Sequence, residues 1–381
     1  MIITMVCDVL GEENNGTTIA AMNLIRALKE KGHEVRIVCA DQYRKGQEGF
    51  YVVPNLNLGK ALNNYVKKAG VTLAKVDKKI IESAIVGSDV VHLLIPFPLS
   101  MAALKIAKKH NIPTTAGFHM MAEIFTAYIK MNKLAPLNTF IYKFIYRHIY
   151  KHVDAIHYPS QFIQDRFEKI VKHKTNGYVV SNGVNDNFVY KPTEKPEELK
   201  DKFIITMTGR YAKEKTQDTL LKAMKYSAHA NDIQIILAGQ GVKEKYYRKL
   251  AKNLPVYPIF KLFDRQGVCD LLNYTDLYVH AGQVEIEGIA FLEALACGNM
   301  VIASDSKLSA TKSFVKDEKC IFKWHKPKDL ARVIDYWFEH QDEMKEYKQR
   351  NLEYMKGFDQ KTCMDKMEQM FVEVIKKANE K

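Results

Sequence analysis

Residues 1–40 read MIITMVCDVL, GEENNGTT, IAAMNLIRALKEKG and HEVRIVCA, and they decide the class of fold. The first ten are apolar and rich in β-branched types, which suits a buried strand. Turn formers fill 11–18. Ile19, Met22, Leu24, Ala27 and Leu28 then recur near helical spacing, and Gly32 supplies a stop. Residues 33–40 return to strand character. Strand, helix, strand in this order predicts parallel pairing through a right-handed crossover. The alternation continues through DVVHLLIP (89–96), a helix over 99–110, IPTTAGFH (112–119) and DAIHYPS (154–160). It restarts after Ser181. PTEKPEELKDK (192–202) is Pro- and charge-rich, as a linker would be. FIITMTGR (203–210), QDTLLKAMKYS (217–227), IQIILAG (233–239), TDLYVHAG (275–282) and GNMVIASD (298–305) repeat the strand and helix pattern. The expected architecture is α/β, with two Rossmann-like doubly wound domains over 1–185 and 186–358. A C-terminal helix over 359–381 is expected to pack back on the first domain.

Composition agrees with a two-domain globular chain. Of 381 residues, 47% are hydrophobic and 27% charged, which excludes a disordered or fibrous protein. The longest uncharged stretch of interest, 90–104, is interrupted by Pro96 and Pro98 and is too short to span a bilayer. The N-terminus has no basic segment before its apolar run, so a cytoplasmic chain starting at Met1 is expected. Six scattered cysteines, none in CxxC or CxxxC, point to reduced buried thiols and to no zinc site.

Charge is unevenly spread. The net charge is +13, and residues 60–151 hold 14 basic and 4 acidic side chains. Such a surface attracts phosphate on nucleic acid, anionic lipid or a phosphorylated substrate, unless it is only solvated. Nucleic acid is disfavoured, because no recognition motif accompanies the charge. Over 140–152 the sequence gives three parallel i,i+4 stripes. They are Ile141/Ile145/Ile149, Tyr142/Tyr146/Tyr150 and Lys143/Arg147/Lys151. The reading places isoleucine inward and tyrosine between the apolar and cationic faces, as on interfacial helices. LAKVDKKIIESAI (73–85), with Lys67 and Lys68 upstream, forms a second basic amphipathic stretch.

The densest chemistry lies in EIEGIAFLEALACGNMVIASD (285–305). Glu285 and Glu293 stand eight residues apart. A helix starting near Gly288 would present free amides to an anion. Glu293 could then reach a ribose hydroxyl pair and Glu285 the hydroxyls of a sugar. A capping acid and a solvated acid would look the same. Arg210 and Lys215 follow a strand and could hold a diphosphate, or be ordinary surface cations. His119 follows an apolar strand, where a structural histidine is also common. Gly16 lies in the first strand-to-helix turn, where a small residue permits close backbone approach.

The 285–305 stretch resembles the signature of family-4 retaining glycosyltransferases, which have the GT-B fold. SNGV (181–184), TGRYAKEKTQDTLLKA (208–223), ILAGQG (236–241) and KGHEVRIVC (31–39) agree with that family in order and spacing. GFHMMAEIF (117–125) resembles the His-bearing loop of glucosyltransferases acting on diacylglycerol lipids. The resemblance implies two domains facing across a cleft. It implies donor contacts from Gly16, Gly209, Arg210, Lys215, Glu285, Glu287, Gly288, Ile289, Ala290 and Glu293. His119, Glu285, Arg210 and Lys215 would carry catalysis, with Glu287 competing for the role of Glu285. The implied donor is UDP-glucose or a related nucleotide-sugar, and the implied acceptor is diacylglycerol or a glycosyl-diacylglycerol. The absence of Asp-x-Asp agrees with transfer that needs neither metal nor cofactor. Lys67, Lys68, Tyr142, Lys143, Tyr146, Arg147, Tyr150 and Lys151 are the expected contacts to an anionic membrane, on its cytoplasmic face. The competing expectations are a soluble or polyprenyl-linked saccharide acceptor, a nucleotide-sugar epimerase, and a catalytically idle lipid- or nucleotide-binding module.

Overall fold

The structure is a computed structural model. It describes residues 1–8, 10, 16–57, 59, 74–128 and 134–380. Lys67 and Lys68 lie outside the described residues. The chain forms two compact units, Met1–Asn182 with Lys361–Lys381, and Gly183–Gln360.

The first unit is built on seven parallel strands: β1 (Ile2–Cys7), β2 (Glu34–Cys39), β3 (Phe50–Val52), β4 (Val90–Leu93), β5 (Thr114–Gly117), β6 (Ala155–Tyr158) and β7 (Gly177–Val179). Their order is β3-β2-β1-β4-β5-β6-β7. In register, Ile3 lies opposite Val35 on one side and Val90 on the other. The order reverses between β1 and β4, and open α/β sheets bind ligands at the carboxyl ends flanking such a reversal. β4, β5 and β6 are buried along their whole length, because helices cover both faces.

The second unit repeats the plan with β8 (Phe203–Thr208), β9 (Ile233–Ala238), β10 (Ile259–Lys261), β11 (Leu277–His280), β12 (Val284–Glu285), β13 (Met300–Ser304), β14 (Leu308–Ser309) and β15 (Ile321–Phe322). Six of these order as β10-β9-β8-β11-β13-β15, and β12 pairs with β14 in a separate two-stranded ladder. Both sheets are parallel throughout.

The last helix, Gln360–Asn379, completes the core of the first unit. Cys363, Met364, Met367, Met370, Phe371 and Val374 are buried on one stripe and join a cluster with Ile3, Met5, Leu24 and Ile37. The Phe371 ring meets the edge of His92 at 5.3 Å. Polar ties flank this seam. Lys31 pairs with Asp365 and with Glu368, His33 sits 2.6 Å from Glu368, and Tyr178 donates to Glu373 at 2.7 Å. All six cysteines are buried. No helix among the described residues is long and apolar enough to cross a membrane.

Phe371 is fully buried. Phe371→Ala is therefore expected to cost the first unit about 3–5 kcal/mol, measured by denaturant unfolding. A loss below about 1 kcal/mol would mean the helix is not part of that core.

Candidate functional site

In the second unit the site grows from the carboxyl ends of β8, β9 and β11. Two loops interlock there. Gly209 N donates to Ala238 O at 2.9 Å, Tyr211 N to Gln240 O at 2.8 Å, and Lys243 N to Tyr211 O at 3.0 Å. A Cβ on Gly239 would lie 2.1 Å from Gly209 O, so this backbone contact requires glycine. The glycine turn after β9 thus serves loop packing, and it presents the 209–215 segment. Gly209 lies beside the Lys215 stem, 4.0 Å from a would-be Cβ to Lys215 Cε.

Arg210 is half-exposed and donates to Glu214 at 3.4 Å. Lys215 instead reaches inward and donates to Glu285 Oε1 at 2.5 Å. The same oxygen lies 3.0 Å from His280 Nε2. Glu285 is only 8% exposed. Burial alone would push its carboxyl up, but Lys215 and His280 outweigh it and hold the group down at about 2. The sequence reading put Glu285 on a loop. It sits on β12, whose pairing with β14 fixes its direction. Glu287 is buried as well.

Gly288 follows at φ 91°, and a Cβ there would lie 2.6 Å from Thr311 Cγ2. It caps helix Ile289–Ala296 without a side-chain acceptor, and Phe291 N and Leu292 N donate to its carbonyl at 2.8 and 3.1 Å. Ile289 and Ala290 are half-buried at this start. Glu293, on the same helix, is half-buried. Its surroundings push it up to about 7, against the pull of Arg265. Its carboxyl has no hydrogen-bond partner among the described residues, which leaves both oxygens available to hydroxyl donors.

In the first unit, His119 follows β5 and lies over Gly117. A Cβ on Gly117 would meet the His119 ring at 2.5 Å, so glycine makes room for the ring. The ring packs 5.2 Å from His157, itself held down at about 4 by burial. Burial, with repulsion from His157 and His92, holds His119 well below the ordinary imidazole value. The ring is therefore neutral near pH 7. Thr17 donates to His119 O at 3.5 Å, joining the start of helix Gly16–Glu30 to this loop. Gly16 is exposed, and a Cβ there would meet nothing within 4 Å.

The tyrosine stripe is a correction. The helix runs Ala135–His148 and passes into a 3₁₀ turn, Tyr150–His152. Tyr142 and Tyr150 are buried, and Tyr146 stacks on His173. Tyr142 donates to Glu123 at 2.6 Å, which also binds Arg166 at 2.5 Å, and Tyr150 donates to Gly117 O at 3.0 Å. Phe118 and Phe167 build an aromatic core on this side, and the tyrosines complete it. An i,i+4 stripe also drifts by about 40° per step, so a stripe cannot hold one face for long. The outward face instead carries Phe140, 64% exposed, and Phe144, 42% exposed, beside exposed Lys143, Arg147 and Lys151.

Asp8 was not legible as a special residue. It follows β1 and is buried, and neither carboxylate oxygen has a hydrogen-bond partner among the described residues. Burial pushes it up to about 7, and the nearby Ala74 amide offsets only part of that. His280 was missed too. Its only signal was a polar residue closing an apolar strand.

Two family models match in tandem. Glycosyltransferase Family 4 covers residues 14–188, and Glycosyl transferases group 1 covers residues 189–353. The chain belongs to the family-4 glycosyltransferases and has the GT-B fold. It is similar to the alpha-monoglucosyldiacylglycerol synthase of Acholeplasma laidlawii, at 24% identity over 84% of each chain. It is also similar to the enzyme of that name from Streptococcus pneumoniae, at 24% identity over 56% of this chain and 51% of that one. Among solved structures, Anabaena HepE in complex with UDP superposes with a TM-score of 0.75 at 14% identity, covering 98% of this chain and 99% of that one. That likeness is one of fold.

Asp8 yields a stability test. Its folded value lies above the ordinary 3.8, so its contribution is fully present below about pH 4 and is lost as pH rises toward 7. Asp8→Asn should therefore raise stability at pH 8 by on the order of 3 kcal/mol, with the gain shrinking toward acid pH. Thermal unfolding at pH 5 and pH 8 checks this, and a gain independent of pH would refute it.

Proposed function

We propose that this glycosyltransferase retains anomeric configuration and moves glucose from UDP-glucose to diacylglycerol or a glycosyl-diacylglycerol at an anionic membrane surface, on its cytoplasmic side. The observation that carries the lipid acceptor is the outward face of helix Ala135–His148. Phe140 and Phe144 stand exposed there, among Lys143 and Arg147, with Lys151 exposed on the 3₁₀ turn that follows. Each cation near an anionic surface contributes about 1 kcal/mol, and exposed aromatic rings suit the headgroup layer. An acceptor insoluble in water requires such contact. The names of the two synthase relatives support the same acceptor class and sugar.

On the donor side, Arg210 and Lys215 neutralise the diphosphate, together with the free amides opening helix Ile289–Ala296. This supplies the positive charge without a divalent ion. Glu293 accepts from the ribose hydroxyls. Glu285, held ionised, accepts from sugar hydroxyls. As the bond from the anomeric carbon to the β-phosphate oxygen breaks, charge builds on that oxygen. The acceptor hydroxyl attacks from the same face and gives its proton to the departing phosphate.

The test supplies purified protein with UDP-glucose and diacylglycerol in vesicles with or without anionic phospholipid, in chelator, with products read by mass spectrometry. Glucosyl-diacylglycerol should form, faster on anionic vesicles. Arg210→Ala and Lys215→Ala should each lower the rate about 10²-fold. Reversing Lys143, Arg147 and Lys151 to Glu should release protein from anionic vesicles while leaving UDP affinity unchanged. Transfer only to a soluble or polyprenyl-linked saccharide, indifferent to lipid charge, would overturn the reading.

A further inference from the structure

We propose that His280 is the positioning residue that keeps Glu285 in place when Lys215 turns to the donor diphosphate. This rests on the reading of Lys215 as a diphosphate ligand. Both donors meet on one carboxylate oxygen, Lys215 at 2.5 Å and His280 at 3.0 Å. They differ in freedom. Lys215 closes a short 3₁₀ turn, Lys213–Lys215, and its ammonium rides on a flexible four-carbon stem. His280 closes the central strand β11, is fully buried, and packs between Tyr278 at 6.3 Å and Phe291 at 5.8 Å. One donor can leave and the other cannot.

The surroundings fix the imidazole further. His280 Nδ1 is buried with no hydrogen-bond partner among the described residues. With its hydrogen on Nε2, the ring faces Glu285 with a donor and buries only a lone pair. The other tautomer would bury an unpaired N–H and set a lone pair against the carboxylate. A Cβ on Gly282 would lie 2.9 Å from both His280 Nε2 and Glu285 Oε1, so the backbone closes over the pair. That backbone is tied down on each side. Thr216 donates to Ala281 O, Ser304 to Gly282 O at 3.2 Å, Gln283 N to Glu214 O at 2.7 Å, and Ser306 to Gln283 O at 2.6 Å.

A diphosphate competes with Glu285 for Lys215. Without His280, releasing Lys215 would leave an almost fully buried carboxylate with neither of its two donors, which is strongly unfavourable. Lys215 would then stay with Glu285 and the diphosphate would bind weakly. With His280 in place the exchange is tolerated, and Glu285 remains ionised and oriented toward the sugar.

The test is a double-mutant cycle on the full chain, read as the Kd for UDP by titration calorimetry. His280→Leu should raise Kd about tenfold. His280→Gln, whose amide can donate to Oε1, should stay within about threefold of the parent. In a Glu285→Gln background, which removes the charge, His280→Leu should change Kd less than about twofold. A merely structural histidine would give the same loss in both backgrounds, and that result, or unchanged affinity in His280→Leu, would overturn the proposal. His280→Gln guards against a leucine variant that fails to fold. A parent chain that does not bind UDP would overturn the donor reading itself, and the proposal with it. UDP bound equally by the parent and by Lys215→Ala would overturn the assignment of Lys215, and likewise the proposal.

Discussion

Glu285 is a carboxylate placed where water scarcely reaches, and the loops around it converge on keeping it ionised. An unpartnered carboxylate at this depth would take up a proton. Two donors converging on one oxygen reverse that tendency and hold the group at about 2. The neighbouring architecture serves the convergence. The 209–215 segment is propped by the glycine turn after β9, and the 281–283 backbone is fastened to β13 and to the 213–215 turn. Removing either prop would displace a donor rather than merely loosen a loop.

The second acid of the same stretch lives under the opposite rule. Glu293 has a cation, Arg265, only at a distance, and its environment lifts it to about 7. Two glutamates eight residues apart are thus separated in character by their surroundings. One is fixed as an anion, and the other has no hydrogen-bond partner for its carboxyl among the described residues. His119 shows the same logic in the first unit, where burial and two neighbouring histidines keep it uncharged. A neutral ring beside a strand end can exchange hydrogen bonds with a hydroxyl without adding charge.

Helix Ala135–His148 joins surface to interior. Its outward side is aromatic and basic. Its inward side carries Tyr142, which binds Glu123 on the helix just beyond His119, and Ala122 N donates to the same hydroxyl at 3.2 Å. A displacement of this helix would therefore be felt at the His119 loop through two hydrogen bonds.

The class of fold was legible in residues 1–40 and in their echo after Ser181, because periodicity and turn chemistry are local properties. The stretch 285–305 was legible as two acids, a glycine and a helix start in one contiguous run, and the helix does start after Gly288. Burial was not legible. The stripes over 140–152 put isoleucine inward, as Ile145 and Ile149 are, but could not say that tyrosine would be buried beside it, because that depends on Phe118 and Phe167 from distant parts of the chain. His280 reads as one polar residue at the end of an apolar strand until the 281–285 backbone folds it against Glu285. Asp8 reads as an ordinary acid until the sheet closes around it. Sequence alone determined which elements form and in what order. Tertiary structure decided which side chains lose water and which partners they find there, and those two quantities set the charge of Glu285 and His119.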